Sequence, residues 1–169
     1  MKIRRNFPPL AGLSVLAVIL VTSFASTQTA SAIAPQQGVS AQGSGEFFNF
    51  LTHEGFHFEF DVQANKQGRA HGQAEFDNLS AGTQIIIKVR CMNADSSSAA
   101  ITGTVLQSDD PNFPKHTSVL FAVVDGESFG GRDMITPLSG GPNPKDDCTN
   151  LPFPLTLFEL SSGSIQIEP

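Results

Sequence analysis

The sequence predicts an all-β domain, an antiparallel β-sandwich or barrel of about eight short strands, behind a cleaved signal peptide. Three observations carry that expectation. From Glu46 onward apolar residues recur with period two, and no stretch spaces them as one face of a helix. Clusters of Gly, Asn, Ser and Pro punctuate the alternating runs, among them residues 78–82, 95–98 and 140–144. Strand-like runs follow one another with no helical pattern between them, which excludes a parallel sheet built from βαβ units.

In chain order, residues 1–32 read as a signal peptide. Lys2, Arg4 and Arg5 form a basic start, an apolar run covers residues 10–24, and Ala30-Ser31-Ala32 supplies small residues for cleavage after Ala32. The apolar run is too short and wrongly flanked to span a membrane. Arg4-Arg5-Asn6-Phe7 also fits a twin-arginine signal, so the general secretory and twin-arginine routes both stay open. No cysteine adjoins the cleavage site and no apolar tail closes the sequence, so the expected product is secreted and extracellular, with no membrane span. Residues 33–45 (IAPQQGVSAQGSG) are polar, glycine-rich and aperiodic, as in a flexible linker. Residues 46–169 are expected to form a single all-β domain.

Within that domain a first strand is expected near residues 47–51. Phe56, Phe58, Phe60 and Val62 then alternate with His57, Glu59, Asp61 and Gln63; Ala70, Gly72, Ala74 and Phe76 alternate with His71, Gln73, Glu75 and Asp77. Lys66-Gln67-Gly68 between them suits a three-residue hairpin loop with glycine in the left-handed position. That loop puts Phe58 opposite Phe76, Phe60 opposite Ala74 and Val62 opposite Gly72; a loop one residue shorter or longer would oppose apolar to polar sets. Further strands are expected at residues 84–91 (QIIIKVRC), 99–106 (AAITGTVL), 118–124 (SVLFAVV), 154–160 (PLTLFEL) and 164–167 (SIQI).

Once residues 1–32 are removed, seven Lys and Arg remain against 16 Asp and Glu, a net charge of −9. Such an acidic surface repels phosphates and anionic lipid heads, so nucleic acid is excluded as a partner. Twelve Phe remain with no Trp or Tyr, which makes the aromatic content core material and counts against a sugar-stacking platform. Cys91 and Cys148 reach an oxidising compartment, where a disulfide is the expected reading and two unpaired thiols the alternative.

Several residues could carry chemistry. Gly126-Glu127-Ser128-Phe129-Gly130 fits the G-x-S-x-G pattern of a serine-hydrolase elbow. An elbow needs a following helix and a downstream base, but GGRDMITP is a poor helix, and His53, His57, His71 and His116 all precede Ser128. The segment therefore reads as a strand exit, and no catalytic residue is assigned. His57, Glu59, Asp61, His71, Glu75 and Asp77 share the polar face of the first hairpin, with Glu59 opposite Glu75. They could hold a divalent cation or perform acid–base chemistry; the blander reading is a solvated face neutralised by Lys88 and Arg90 from the next strand. Among the loop carboxylates Asp109, Asp110, Asp125, Glu127, Asp133, Asp146 and Asp147, the set Asp125, Glu127 and Asp133 is the best candidate for Ca²⁺, with turn formation the alternative. Asn78-Leu79-Ser80 is a glycosylation sequon, meaningful in a eukaryotic host.

Short motifs also resemble a family of uncharacterised secreted bacterial proteins, the post-COAP-like group. They are Gly43-Ser44-Gly45-Glu46-Phe47, the alternating run at 58–62, the G-x-A-x-G-x-A-x-F-like stretch at 68–76, and the strand end at 89–91. Ala-Ala-Ile-Thr-Gly at Ala99–Gly103, the Val-Val-Asp-Gly-Glu…Asp segment at Val123–Asp133 and the close at Gly163–Ile167 complete the set. The resemblance implies a β domain exported from a bacterium, with no activity to carry over. The expected function is that of a secreted, non-catalytic protein with a binding or structural role toward an extracellular ligand. The alternatives are an extracellular polymer-acting enzyme using the hairpin carboxylates, and a carrier of a small apolar ligand.

Overall fold

A computed structural model describes residues 38–127, 130–140, 148 and 155–168, all within the unit Ile33–Pro169. The signal peptide and its cleavage site, residues 33–37 of the expected linker, Ser128, Asp146 and Asp147 lie outside the described residues.

The chain folds as β1 (Val39–Asn49), β2 (Glu54–Ala64), β3 (Ala70–Asn78), β4 (Thr83–Ala94), β5 (Ser98–Ser108), β6 (Ser118–Val124), β7 (Met134–Ile135), β8 (Ser139–Gly140) and β9 (Phe158–Glu168). Every pairing is antiparallel. β7 and β8 lie end to end on one edge of β6, at Val123–Val124 and Val119–Leu120 respectively, and act as one broken strand. β6 pairs with β5 on its other edge, β9 joins β7 to β1, and the sheet closes into an eight-strand barrel. Of the two expected architectures, sandwich and barrel, the barrel is therefore the one formed. Each strand neighbours its sequence neighbour, and closure leaves no long sheet edge open.

The β2–β3 hairpin shows how the sequence specifies this. Phe58 opposes Phe76, Phe60 opposes Ala74 and Val62 opposes Gly72, as the three-residue loop requires. Gly68 has φ +77°, its N–H bonds Asn65 O at 2.9 Å, and Asn65 N–H bonds Arg69 O at 3.0 Å. The apolar set turns inward. Phe47, Phe58, Phe60, Phe76, Phe121 and Phe158 are all buried there. Their rings meet in a connected series, Phe76 to Phe121 at 5.1 Å, Phe121 to Phe60 at 5.7 Å and Phe47 to Phe158 at 6.1 Å. Side chains can fill an eight-strand barrel, and these rings occupy this one.

That filling explains the first correction. Residues 39–45 are not linker but the first part of β1, with Ala41, Gly43, Gly45 and Phe47 alternating inward. A Cβ on Gly43 would sit 2.9 Å from the Phe60 ring and 3.0 Å from Ile165. Gly43 is small because Phe60 already fills the space, Gly45 because the Ser162–Gly163 backbone does, and small residues look like linker in sequence. β9 is the second correction. Residues 158–168 form one strand, kinked where the register with β1 shifts and where Gly163 has φ +97°, so the Ser-Ser-Gly run bends the strand without ending it. β1 itself stops at Asn49, leaving Phe50 and Leu51 in a turn.

β5 and β6 are buried on both faces over Ala99–Val105 and Val119–Val123. A register shift between Val89 and Cys91 alters the facing of β4. Met92 joins the interior cluster, whereas Cys91 is buried but stands apart from it. Cys91 forms the expected disulfide with Cys148. The disulfide and the lack of a long apolar helix among the described residues are compatible with an extracellular location.

The β4–β5 turn is organised by Asp95. Its carboxylate accepts from Ser97 N–H at 2.8 Å, Ser98 N–H at 2.7 Å and Ser98 Oγ at 2.9 Å. The Ser97 backbone bond first, then the Ser98 hydroxyl, hold its pKa below the ordinary aspartate value. A carboxyl lowered in the folded state stabilises above its unfolded pKa of about 3.9, and that contribution fades as pH falls through the folded value. Asp95→Ala is expected to cost about 1 kcal/mol at neutral pH. Its deficit against wild type should shrink in urea melts as pH falls below the unfolded-state pKa of about 3.9; a deficit constant from pH 7 to pH 2 would contradict this role.

Candidate functional site

Two hairpin tips at one end of the barrel are built alike. At β1–β2, Asn49 Oδ1 accepts from Leu51 N–H at 3.0 Å and Thr52 N–H at 3.3 Å, and Asn49 O accepts from His53 N–H at 2.8 Å. At β3–β4, Asn78 Oδ1 accepts from Ser80 and Ala81 N–H at 3.0 and 2.9 Å, and Asn78 O accepts from Gly82 N–H at 2.7 Å. Each turn ends in a left-handed residue, His53 at φ +60° and Gly82 at φ +70°. Asparagine suits this place because its carbonyl oxygen can bond its own backbone two residues on. Phe50 and Leu51 on one tip and Leu79 on the other remain exposed, at 58%, 64% and 55%.

These tips and the β5–β6 and β7–β8 connections surround a cup of about 250 Å³. Phe56, Phe76, Ile85, Phe113, Pro137 and Leu138 give it apolar walls; Asn49, Thr52, Glu54, Asn78, Asp110 and Asn112 supply the polar groups. Asn78 Nδ2 donates to Glu54 Oε1 at 3.1 Å. That bond, followed by one from the Thr52 side chain, holds the Glu54 carboxyl below its ordinary value. Asp110 Oδ1 accepts from Asn112 N–H at 2.8 Å and so fixes the β5–β6 loop beside the cup. The Asn78 sequon is corrected as well. The side chain is buried, its oxygen closes the turn, and its nitrogen is committed to Glu54, so it is not presented for glycosylation.

The residues singled out in the sequence fall elsewhere. Asp125, Glu127 and Asp133 follow β6 or precede β7, but do not gather around a common point. Among the described residues no group of three His, Cys, Asp or Glu is placed to hold a metal ion. Asp125 Oδ1 accepts from Glu127 N–H at 3.1 Å, and Glu127 is exposed. Asp133 is buried, with Oδ1 accepting from Gly126 N–H at 2.9 Å and Oδ2 from Ile165 N–H at 2.6 Å. Its oxygens face backbone amides, and Asp125 and Asp133 thus make the turn-forming bonds that were the alternative to Ca²⁺. Around Ser128, β6 ends at Val124 and Gly131 N–H returns to Gly126 O at 2.8 Å, which closes a turn.

The polar face of β2–β3 forms as expected, with Glu59 opposite Glu75 and His57 opposite Asp77. His57 Nδ1 lies 3.4 Å from Asp77 Oδ2, and Gln84 Nε2 donates to Glu75 Oε1 at 2.6 Å. The expected neutralisation by Lys88 and Arg90 does not form. Glu75 faces Ile86, Asp77 faces Gln84, and the ladder with β3 ends where Lys88 meets Gln73. An open polar saddle of about 350 Å³ lies beside this face, between Gln42, Ser44, Glu59, Asp61, Ser164 and Gln166. A groove of about 420 Å³ lies along Ala94–Asp95, Ala99–Ala100 and Val123–Val124, beneath Leu155 and Leu157. Those two leucines follow directly on residues 149–154, which are outside the described set.

The cup was missed in the sequence, although each of its parts was visible there. Asn49 and Asn78 lie 29 positions apart, and Phe113 and Asp110 come from a loop that only barrel closure brings alongside. No family model, curated protein or solved structure matches the chain, so the fold and the side chains of the cup are the grounds on which function is argued.

Proposed function

We propose that this is a secreted, non-catalytic binding protein that receives a small molecule in the cup at one end of its barrel. One observation carries the reading: a recess with apolar walls and a few converging polar groups lies at the mouth of a closed barrel whose interior is otherwise filled. Barrel mouths are a recurrent place for ligands, and such a mixture of walls binds small molecules by burial while polar groups orient them. The signal-like residues 1–32 and the disulfide support export. The Phe-packed interior argues against an apolar carrier that encloses its cargo within the barrel. The test is a fragment screen by ¹⁵N–¹H correlation spectra. Shifts concentrated on amides of residues 49–56, 76–85 and 110–113 are expected; shifts confined to other surfaces would overturn the assignment.

A second reading, an extracellular polymer-acting enzyme, rests on the facing carboxylates of Glu59 and Glu75. It expects that Glu59→Gln and Glu75→Gln abolish a polymer-degrading activity without changing the melting temperature. Wild-type protein inert on extracellular polymers would remove that reading.

A further inference from the structure

The walls of the cup specify its ligand more narrowly. We propose that the cup takes a small organic cation, an ammonium group carried on a compact apolar body. The inference rests on the binding role proposed above and names the ligand class for that site.

Charge comes first. Among the described residues, the ionisable side chains lining the cup are Glu54 and Asp110, with no lysine, arginine or histidine. An anion would meet two carboxylates with no compensating cation among the lining residues, and a neutral ligand would leave their charge without a counterpart. The second argument is aromatic. Phe56, Phe76 and Phe113 contribute three rings to one recess, and the face of an aromatic ring attracts a cation through its quadrupole. Phe56 is itself stacked on Phe47 at 5.2 Å, and Phe76 is fixed edge-on against Phe121 at 5.1 Å. Two of the three rings are thus positioned before any ligand arrives, and preorganised walls reduce the cost of binding. Size is the third constraint. A recess of about 250 Å³ holds roughly eight waters at about 30 Å³ each. That suits a headgroup-sized cation. Glu54 is held in place by Asn78, so its charge has a fixed position at the site.

The experiment compares choline with 3,3-dimethylbutan-1-ol, a neutral molecule of nearly the same shape, by NMR titration of the full exported chain. Choline is expected to shift cup amides at millimolar concentration and the neutral isostere at least about tenfold more weakly, since one desolvated cation–π or ion contact is worth about that factor. Glu54→Gln keeps an oxygen for Asn78 but removes the charge; it should weaken choline several-fold and leave the isostere unchanged. Phe113→Leu, on a half-buried loop position, should also weaken choline without unfolding the barrel. Equal binding of choline and the isostere would overturn the cation assignment while leaving the cup as a binding site. No cup shift with either probe would also overturn the cation assignment, and the fragment screen then decides the binding role separately.

Discussion

Asp133→Ala is expected to destabilise the barrel by about 3–4 kcal/mol, the largest effect of any polar side chain described. Asp133 is buried and accepts two backbone amides from different parts of the chain, Gly126 after β6 and Ile165 in β9. Its own carbonyl accepts a third, from Leu160 N–H at 2.9 Å. β7 pairs with β9 only at Met134–Glu159 and Ile135–Phe158, so the carboxylate continues the closure where the ladder stops. Hydrogen bonds to a charged acceptor are worth about 1.5–3 kcal/mol each, and truncation leaves two donors without their partner. For a domain of this size the melting temperature should fall by about 10 °C or more. Asp133→Asn should lie between the two, because its carbonyl serves one amide while its NH₂ group faces the other N–H. An alanine variant within 1 kcal/mol of wild type would mean that the seam between β7 and β9 holds without this carboxylate.

Removing the Cys91–Cys148 disulfide should cost a similar amount. The bridge joins positions 57 residues apart, and closing a loop of that length removes about 4 kcal/mol of entropy from the unfolded chain. Both cysteines are buried, so Cys91→Ala/Cys148→Ala tests the link without leaving a reactive thiol. The expected result is a urea midpoint lowered by an amount corresponding to about 4 kcal/mol. The far-UV signal should be retained at low denaturant, because the continuous ladder from β1 to β6 does not depend on the bridge. An unchanged midpoint would show that the unfolded chain is already restricted between these positions.

How much of this was legible in the sequence depended on the range of the interaction. The β2–β3 register was legible because side-chain parity and loop length leave one arrangement with Phe58, Phe60 and Val62 on the same face as Phe76, Ala74 and Gly72. The disulfide was legible from two cysteines together with the expectation that residues 1–32 direct export. Residues 39–45 were not, because Gly43 is kept small by the Phe60 and Ile165 side chains and Gly45 by the Ser162–Gly163 backbone, and those contacts are remote in sequence. β7 and β8, two residues each, are too short to show any alternation. Lys88 and Arg90 reach the expected outer face but miss Glu75 and Asp77, because pairing partners are set by stagger as well as parity.

By itself the sequence determined an all-β, antiparallel domain of about eight strands, since period two, turn residues and inward Phe positions are local properties. The tertiary structure decided three further matters: that the sheet closes into a barrel, that Asp133 bonds the amides of Gly126 and Ile165, and that Glu54, Phe56, Phe76, Asp110 and Phe113 share one cup. Closure depends on β6 meeting β5 and β9 meeting β1, contacts between residues as far apart as Ser40 and Glu168. No local pattern encodes a distance of that kind. It follows from the packing of the whole interior, and the cup exists because that packing stops short of the barrel's end.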